Sequence, residues 1–372
     1  MSVIGNGIVL KRLPQNVDLR KDITAFGEDN LYPQRVEQVA LRSPTTIASI
    51  KAYGTFLGGN GFELNGDLVI NRFDQTLNDL LRLIRKDKAT FDGWALHFNV
   101  NEIGGITEII PVKYKNVRYG LPDDWGRHYE VKLNLNWEED YSKTIKKVAI
   151  IQDFPLWHTR DKHSFDSEEG ENGFVYYWTP EMDMYPTCTF DSVLDSAQSN
   201  GEIQVYELGN IQNSFLNTSL FKHQGKIEGE KERQALVNLL FSLTGPENAG
   251  GVGLVEVPTG FDGNLLENIP ANNGDTLFQT TNETTQSRIV SNFGIPYPLL
   301  GLQPTGGGIY NQEQLNDAYT FYNTQTREER KSISDAFDSF MKFWHEGAVS
   351  VGGIIENEFK VQEDGNDINN EG

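Results

Sequence analysis

The sequence predicts an α+β protein in which helical segments lie on either side of a β-rich stretch. Residues 73–88 repeat apolar side chains at helical spacing, whereas residues 94–178 hold short runs of aromatic and β-branched residues. Residues 275–345 have the pattern of a helix, a stop, a glycine-rich loop and a longer second helix. A chain of 372 residues is long enough to build these elements into two or three domains.

The first quarter of the chain is predicted to pass from an extended arm, residues 1–27, into helices. Ser43-Pro44 is a typical helix start, because proline is tolerated in the first turn. The helix over 73–88 is amphipathic. Its predicted inward-facing residues are Leu77, Leu80, Leu81 and Ile84. Its predicted outward-facing residues are Arg82, Arg85, Lys86 and Lys88.

The middle of the chain is predicted to form strands. The strand-like runs are 94–100, 106–110, 117–119, 129–135, 148–151 and 174–178. The turn residues 102–105 join the first two runs into a hairpin. A helix is then predicted from Pro186 to about Asn213. A compact mixed segment follows, with a strand near Phe221, a leucine-rich helix over 235–243 and a strand that ends at Val257.

The segment from Asp275 onward is the most informative part of the chain. Asp275 is a suitable N-cap, and Gly294 followed by Pro296 ends that helix. Three glycines at 306–308 would lose much backbone entropy on ordering, so they predict a loop that moves. The second helix over 311–345 would be roughly 50 Å long at about 1.5 Å per residue. A polar interval at 327–331 leaves open a single rod or two helices with a kink near Arg327.

The composition is strongly acidic. Lysine and arginine number 32 and aspartate and glutamate 53, so the formal net charge is −21. This balance disfavours nucleic-acid binding over the whole surface, and no basic patch of the required size is visible. Solubility is the simpler explanation, and a surface that lets a polyanion pass without adhering is the sharper one. The acidic residues 346–372 are predicted to form a disordered tail.

The sequence predicts no catalytic residue, metal site or cofactor. Its glycine runs match neither a dinucleotide-binding nor a phosphate-binding loop. His158 and His163 with nearby aspartates fit a solvated loop better than a metal site. Cys188 is the single cysteine and cannot form an intrachain disulfide. No stretch has the length and apolarity of a signal peptide or a membrane span.

The order of these elements resembles the portal proteins of tailed double-stranded DNA bacteriophages. The resemblance covers about residues 28–345, and its most specific part is Phe293-Gly-Ile-Pro-Tyr-Pro-Leu-Leu-Gly301 followed by Tyr310-Asn-Gln-Glu-Gln314 and a long helix. The other segments that carry it are Tyr32-Pro33, Ser43-Pro44, Gly58 to Phe62, Asp92 to Val100 and Gly104 to Pro111 with Val117.

The resemblance implies a ring, usually of twelve subunits, at one vertex of a capsid. Each subunit would have a β-rich wing, a helical stem, a small mixed clip and a long wing helix, with little or no crown. The implied segments are the wing 28–185, the first stem helix 186–213, the clip 214–272, the second stem helix 275–294, the tunnel loop 301–311 and the long wing helix 311–345.

The resemblance also implies site residues. The tunnel loop would face DNA through Gln303, Pro304, Thr305, Gly306, Gly307, Gly308, Ile309, Tyr310 and Asn311. In the clip, Lys222, Lys226 and Lys231 are candidate contacts for acidic partners, with a solvated face as the plainer alternative.

The function implied is mechanical rather than enzymatic. The ring would pass double-stranded DNA without sequence specificity during packaging and ejection. Its partners would be further copies of itself, the large terminase, a head-tail adaptor, and the major capsid and scaffold proteins. The protein would lie in the virion, and in the host cytoplasm during assembly, without a membrane or a cofactor. The alternative is a hydrolase of unfamiliar type that uses carboxylates in the β-rich half.

Overall fold

The chain forms two compact units. Unit 1 comprises Met1–Leu194 and Ile289–Gly372, and unit 2 comprises Asp195–Arg288. This computed structural model describes residues 16–18, 22–137, 152–162, 173–182, 184–212, 218–225, 252–260, 266–269, 275–301 and 310–359, with isolated positions 229, 231, 234, 238 and 263.

Helices and strands are both abundant in the described residues, which confirms the predicted α+β class. The helices are α1 (Tyr32–Arg42), α2 (Pro44–Gly58), α3 (Leu77–Phe91), α4 (Leu194–Gln212), α5 (Asp275–Asn292), α6 (Gln312–Gln325) and α7 (Arg327–Met341). The strands are β1 (Asn16–Asp18), β2 (Ile23–Ala25), β3 (Trp94–Val100), β4 (Ile106–Val112), β5 (Val117–Tyr119), β6 (Glu130–Leu133), β7 (Gln152–Pro155), β8 (Phe174–Trp178), β9 (Thr218–Gln224), β10 (Val252–Val257) and β11 (Leu266–Ile269).

Two three-stranded sheets form the β-rich part of unit 1. One has the order β4-β3-β8 and the other the order β5-β6-β7, and every pair is antiparallel. The pairing of Ala95 with Val112 and of Asn99 with Glu108 confirms the predicted hairpin. The central strand β3 is apolar on both faces at its start, where Trp94, Ala95 and Leu96 are all buried. The predicted strand at 148–151 lies outside the described residues.

Local capping explains where the unit 1 helices begin. The Ser43 hydroxyl accepts a hydrogen bond from the Thr46 amide at 3.2 Å at the start of α2. Thr76 and Asp79 form a reciprocal capping box at the start of α3, so this helix begins at Leu77 rather than at residue 73. Its apolar face is buried as predicted.

The predicted outward direction of Lys88 is wrong. This side chain is buried with 1% exposure, and its ammonium group pairs with Asp92 and, at 2.7 Å, with Glu329. It also lies 4.4 Å from the Trp178 ring centroid. Two carboxylates and an aromatic face compensate the charge, which is what makes burial of a lysine tolerable.

The predicted N-terminal arm does not extend to residue 27. All three residues of β2 are buried, and the Phe26 ring stacks on Tyr185 at 4.0 Å and on Tyr32 at 5.4 Å. Because this aromatic cluster is part of the unit 1 core, residues 23–27 belong to the core. The sequence pattern of a turn-rich entry did not reveal this burial.

The helix predicted from residue 186 begins later. A 3₁₀ turn covers Asp191–Val193 and α4 starts at Leu194. The preceding residues are held by side chains of unit 1: the Cys188 amide donates to the Tyr32 hydroxyl at 3.0 Å, and the Thr189 hydroxyl donates to the Ala89 carbonyl at 2.7 Å. The first bond satisfies the Cys188 amide without a helix, and the second holds the Thr189 side chain against the last turn of α3.

The predicted tail is ordered in its first half, so the expectation of disorder is wrong for residues 346–359. Val351 is fully buried and Ile354 is 8% exposed. Backbone hydrogen bonds join the Glu63 amide to the Gly353 carbonyl and the Ile355 amide to the Gly61 carbonyl, each at 2.9 Å. The segment therefore closes against the end of α2. Residues 360–372 lie outside the described residues.

Unit 2 contains a three-stranded sheet of order β10-β9-β11. The central strand β9 pairs parallel with β10 and antiparallel with β11. The strands predicted near Phe221 and ending at Val257 are confirmed. The predicted leucine-rich helix over 235–243 lies almost wholly outside the described residues.

Candidate channel and assembly elements

The stop after α5 is fixed to α6. Gly294 adopts φ 62°, the left-handed conformation of a helix C-terminus that glycine favours. A Cβ at Gly294 would lie 2.1 Å from the Gln325 Nε2 atom, so α6 packs directly on this turn. The Tyr322 hydroxyl donates to the Phe293 carbonyl at 3.1 Å and satisfies one of the free carbonyls at the helix end.

The segment after the stop has defined ends. A 3₁₀ turn at Tyr297–Leu300 ends at Gly301, with φ 68°. Residues 302–309 lie outside the described part of the chain, so the placement of Gln303, Pro304, Thr305, Gly306, Gly307, Gly308 and Ile309 stays a prediction. The chain returns at Tyr310, and Asn311 caps α6: its side chain accepts from the Gln314 amide at 2.8 Å while the Gln314 side chain accepts from the Asn311 amide at 3.0 Å.

The rod predicted over 311–345 is two helices rather than one. The break lies at Thr326, where φ is −90° and ψ is 3°, and α7 ends at Met341. The kink left open near Arg327 is therefore present, one residue earlier.

The buried Arg330 side chain stabilises the helix break at Thr326. Arg330 is 3% exposed. The guanidinium donates to the Thr326 hydroxyl at 2.6 Å, to the Asn323 carbonyl at 2.8 Å, to the Phe56 carbonyl at 3.3 Å and to Glu356 at 2.7 Å. One side chain thus satisfies carbonyls near the ends of both α2 and α6, and connects them to the terminal segment.

A polar cleft of about 340 Å³ lies beside the break, within unit 1. Asp92 and Glu329 line it, and both bind the buried Lys88 ammonium. Burial raises the pKa of the Asp92 carboxyl, while the Lys88 ammonium opposes that shift. Because the two carboxylates share one cation, the arrangement is that of a structural ion cluster rather than of an acid-base pair.

Hydrogen bonds of asparagine side chains link the two segments that the resemblance assigns to a stem. In unit 1 the Ser192 hydroxyl donates to the Asn292 side chain at 2.5 Å, and Asn292 donates to the Thr189 carbonyl at 2.9 Å. In unit 2 the Asn200 amide donates to Asn282 at 2.9 Å. The helix α4 contains no basic residue and exposes apolar side chains, with Val205 62% and Leu208 53% exposed.

Two of the three candidate clip lysines, Lys222 and Lys231, lie in the described residues. Lys222 is half-buried on the central strand β9, and Lys231 is exposed. Lys226 lies outside the described residues.

Two buried arginines were missed by sequence reasoning. Arg118 is fully buried, and burial lowers its pKa to about 10. Its guanidinium donates to the Asn30 carbonyl and the Val117 carbonyl, each at 2.7 Å. The strand-like run 117–119 does not indicate that Arg118 is buried. For Arg330, the i, i+4 spacing from Thr326 could have indicated the hydrogen bond between their side chains.

No group of three or more His, Cys, Asp or Glu side chains in the described residues is arranged to hold a metal ion. Among the described helices, none combines the length and apolarity needed to cross a membrane.

No family model and no curated protein matches the chain. Solved structures do match. A chain in the virion of the native gene transfer agent (GTA) particle aligns with a TM-score of 0.53 and 14% identity, over 86% of this chain and 82% of that one. A chain in the neck of the native GTA particle, computed with C12 symmetry, also scores 0.53 at 14% identity, over 86% and 84%.

A HK97 family phage portal protein from Corynebacterium diphtheriae gives a TM-score of 0.43 and 10% identity, over 82% of this chain and 90% of that one. The neck of the empty GTA particle, computed with C6 symmetry, gives a TM-score of 0.53 and 14% identity over 88% and 84%. At these identities the likeness concerns the fold. The predicted portal-like α+β architecture is confirmed as a fold shared with chains of the GTA virion and neck.

Proposed function

We propose that this protein is a portal subunit that forms a ring at a capsid vertex and provides the channel for DNA packaging and ejection. The observation that carries the proposal is the fold shared with a chain in the neck of the native GTA particle over 86% of this chain. The order of elements supports it, because the stop, the loop and the capped α6 follow one another as the portal resemblance implies. The protein would act in the virion and, during assembly, in the host cytoplasm.

A ring requires each subunit to bury surface against two neighbours. The exposed Val205 and Leu208 on α4 are apolar groups that a ring would cover. The C12 symmetry used for the GTA neck favours twelve subunits, and twelve copies of 41.9 kDa would weigh about 500 kDa.

Mass photometry and negative-stain images of the purified protein test the ring directly. We expect a closed ring of about twelve subunits. Val205→Asp should shift the population to monomer, because it places a charge in an apolar contact, whereas Val205→Thr keeps the shape and should retain the ring. A natural protein that stays monomeric at high concentration, and also with scaffold and capsid proteins present, would contradict the proposal.

The loop 301–311 is proposed to face DNA through Gln303 to Asn311. Its support is that Gly301 and Asn311 have defined conformations at its two ends. Three glycines between them would let the loop adapt to a DNA helix that does not match the ring symmetry. Replacing Gly306, Gly307 and Gly308 by alanine should leave ring assembly intact and lower the yield of packaged DNA. Ile309→Val is the matched control, and equal packaging by both variants would count against a tunnel loop.

The channel is proposed to let double-stranded DNA pass without sequence specificity. The helix α4 carries Asp195, Glu202 and Glu207 and no cation, so a wall built from it repels phosphate. DNA should therefore elute freely from the purified ring at low salt, whatever its sequence.

The large terminase, a head-tail adaptor, and the capsid and scaffold proteins are the proposed partners. Lys222, Lys226 and Lys231 are proposed to contact acidic surfaces of the terminase or adaptor. Combined Lys222→Glu and Lys231→Glu substitutions should weaken co-purification with these partners. Lys342→Glu on unit 1 is the control, and an equal loss for both proteins would argue for a nonspecific charge effect.

Two carboxylates in and beside the β-rich part, Glu108 and Asp92, give the hydrolase alternative no support. Glu108 is bound by Arg72, with 2.7 Å between Oε2 and Nη2, and Asp92 is bound by Lys88. A carboxylate held by a neighbouring cation is poorly suited to act as a general base.

A further inference from the structure

A tight turn between β5 and β6 exposes a tryptophan. Trp125 lies in the connection from Tyr119 to Glu130, and it is 85% exposed. Tryptophan is highly buried on average, because its indole ring carries a large apolar area. Four of the other five tryptophans in this chain are buried, and Trp178 is half-buried. Trp125 is therefore the exception, and its ring is available to a partner.

The turn is closed by one carboxylate. Oδ1 of Asp123 accepts hydrogen bonds from the Trp125 and Arg127 amides, each at 2.8 Å. Oδ2 of the same carboxylate accepts from the Tyr129 hydroxyl at 2.8 Å. The Asp123 amide also donates to the Arg127 carbonyl at 2.9 Å. Because the turn is already ordered, burial of Trp125 at an interface costs less conformational entropy than burial of a side chain on a loose loop.

The turn also carries a negative charge. Asp124 is exposed, and in the described part of the chain it forms no salt bridge. Asp123 and Asp124 together with Arg127 give the turn two negative charges and one positive charge, which is a net charge of −1. A matching surface should therefore combine an apolar floor for the indole ring with cations beside that floor.

A groove between α2 and α3 has this complementary chemistry. Its volume is about 340 Å³, which is at the lower end of the range for ligand pockets and leaves room for one large side chain. Its apolar floor includes Ile47 and Ile50, and no carboxylate lines it. Its rim carries four cationic side chains, which are Lys51, Arg82, Arg85 and Lys86. The groove belongs to unit 1, as the turn does.

The charge of this rim is only partly compensated. Arg82 pairs with Asp79 at 2.9 Å, but among the described residues no salt bridge involves the other three cations of the rim. A Cβ at Gly58 would fall 2.6 Å from the Cδ atom of Arg85, so this side chain lies against α2. In a chain whose formal net charge is −21, this rim is a local exception that attracts a carboxylate.

The turn and the groove meet between two copies of the chain rather than within one. Trp125 is 85% exposed in its own chain, so it does not fill the groove there. Two different patches that bind each other in successive copies form a head-to-tail contact, which closes into a ring or continues as a filament. The proposed ring requires a contact of this kind.

We propose that the turn 123–127 of one subunit docks in the α2–α3 groove of the next subunit. Trp125 packs on Ile47 and Ile50, and Asp124 faces the lysines of the rim. A guanidinium of the rim lies against the indole face, where cation–π attraction adds to the burial of apolar area. The inference rests on the proposed ring and names one contact within it.

Photo-crosslinking of the assembled full-length protein tests the contact. Trp125→p-benzoylphenylalanine keeps a large aromatic side chain at the turn, and mass spectrometry locates the residues to which it couples. We expect links to residues 47–55 or 82–86, and mixing ¹⁵N-labelled with unlabelled protein should show that these links join two chains. Ile103→p-benzoylphenylalanine is the matched control, because Ile103 lies on the β3–β4 turn and is 88% exposed; it should not couple to the groove.

The outcomes separate this contact from the ring itself. A closed ring in which position 125 couples elsewhere would overturn the contact and leave the proposed function standing. Filaments that show the expected links would support the contact and contradict a closed portal ring. Links within one chain would overturn the contact, and a protein that stays monomeric under every condition would contradict both proposals.

Truncation of the ring gives a second measurement by mass photometry. Trp125→Ser should raise the protein concentration needed for half-assembly about tenfold or more, because a buried tryptophan is a typical hot spot of an interface. Ile103→Ser, which also removes an exposed apolar side chain from a turn, should leave that concentration unchanged. An equal effect of both substitutions, or no effect of either, would refute the docking of Trp125.

Charge exchange tests the polar part of the contact. Asp124→Lys should weaken assembly, because it places a cation against the cationic rim. Adding Lys51→Glu with Lys86→Glu should recover most of that loss. Adding Lys331→Glu with Lys342→Glu, two exposed cations elsewhere on unit 1, makes the same change in net charge and should not. Equal recovery in both combinations, or recovery in neither, would refute the pairing of Asp124 with the rim.

Discussion

Replacement of Arg330 by methionine tests whether one buried guanidinium holds the helix break. The change removes four donors to Thr326, Asn323, Phe56 and Glu356 while keeping much of the side-chain volume. Hydrogen bonds from a charged group contribute about 1.5–3 kcal/mol each in favourable cases, but they are not additive. Breaking one partner of a buried charged network costs about 3–5 kcal/mol. Because Glu356 is 55% exposed, its ion pair contributes the least.

We therefore expect Arg330→Met to lower the free energy of unfolding of unit 1 by about 3 kcal/mol or more. All six tryptophans lie within unit 1, so tryptophan fluorescence in urea follows this unit selectively. Lys331→Met, at the exposed neighbouring position, should change stability by less than about 0.5 kcal/mol. Glu356→Gln should cost about 1 kcal/mol or less. A loss below about 1 kcal/mol for Arg330→Met would refute the reasoning.

Three further substitutions test other contacts by urea unfolding. Gly294→Ala should destabilise unit 1 by about 1–2 kcal/mol, because it forces φ 62° on a residue with a Cβ; Gly347→Ala, where φ is 126° but a Cβ would meet no atom within 4 Å, separates backbone strain from the clash with Gln325. Burial raises the pKa of Asp87 to about 6, so ionisation in the folded state costs stability as the pH rises from about 4 through 6. Asp87→Asn should therefore gain about 1–2 kcal/mol over the natural protein at pH 8 and nothing at pH 4; an equal effect at both would contradict the assignment. Hydrogen bonds from Arg72 lower the pKa of Glu108 to about 2, so this contribution is present above about pH 4.3 and is lost as the pH falls toward 2. Because the Arg72 side chain is 70% exposed, Arg72→Gln should lower stability only slightly at pH 7 and still less at pH 2; a pH-independent loss would count against the pair.

Local patterns predicted the elements well where one local principle decides the structure. Runs of aromatic and β-branched residues identified β3 and β8, and the order Gly294 then Pro296 marked the end of α5. Each of these depends on a few neighbouring residues. The portal-like order of elements could be predicted because it follows from these local patterns taken in sequence.

Long-range packing decided the features that the sequence did not reveal. Lys88 is buried because Glu329, 241 positions later, approaches its ammonium. Residues 350–355 are ordered because the backbone at 60–64 offers hydrogen bonds. The helix break needs Arg330 to meet carbonyls of α2, which no local window contains. The acidic, glycine-rich composition therefore led to a wrong prediction of disorder for residues 346–359.

The place of the terminal segment affects how the protein is made. Unit 2 is inserted within the sequence of unit 1, and its residues 195–288 leave the ribosome before the last part of unit 1. The backbone at residues 60–64 and the Arg330 side chain can bind residues 351–356 only after that segment has been synthesised. We expect unit 2 to fold first during translation and unit 1 to be completed only after residues 351–356 have been synthesised. A subunit whose synthesis stops early would then lack the finished unit 1 surface and be excluded from assembly.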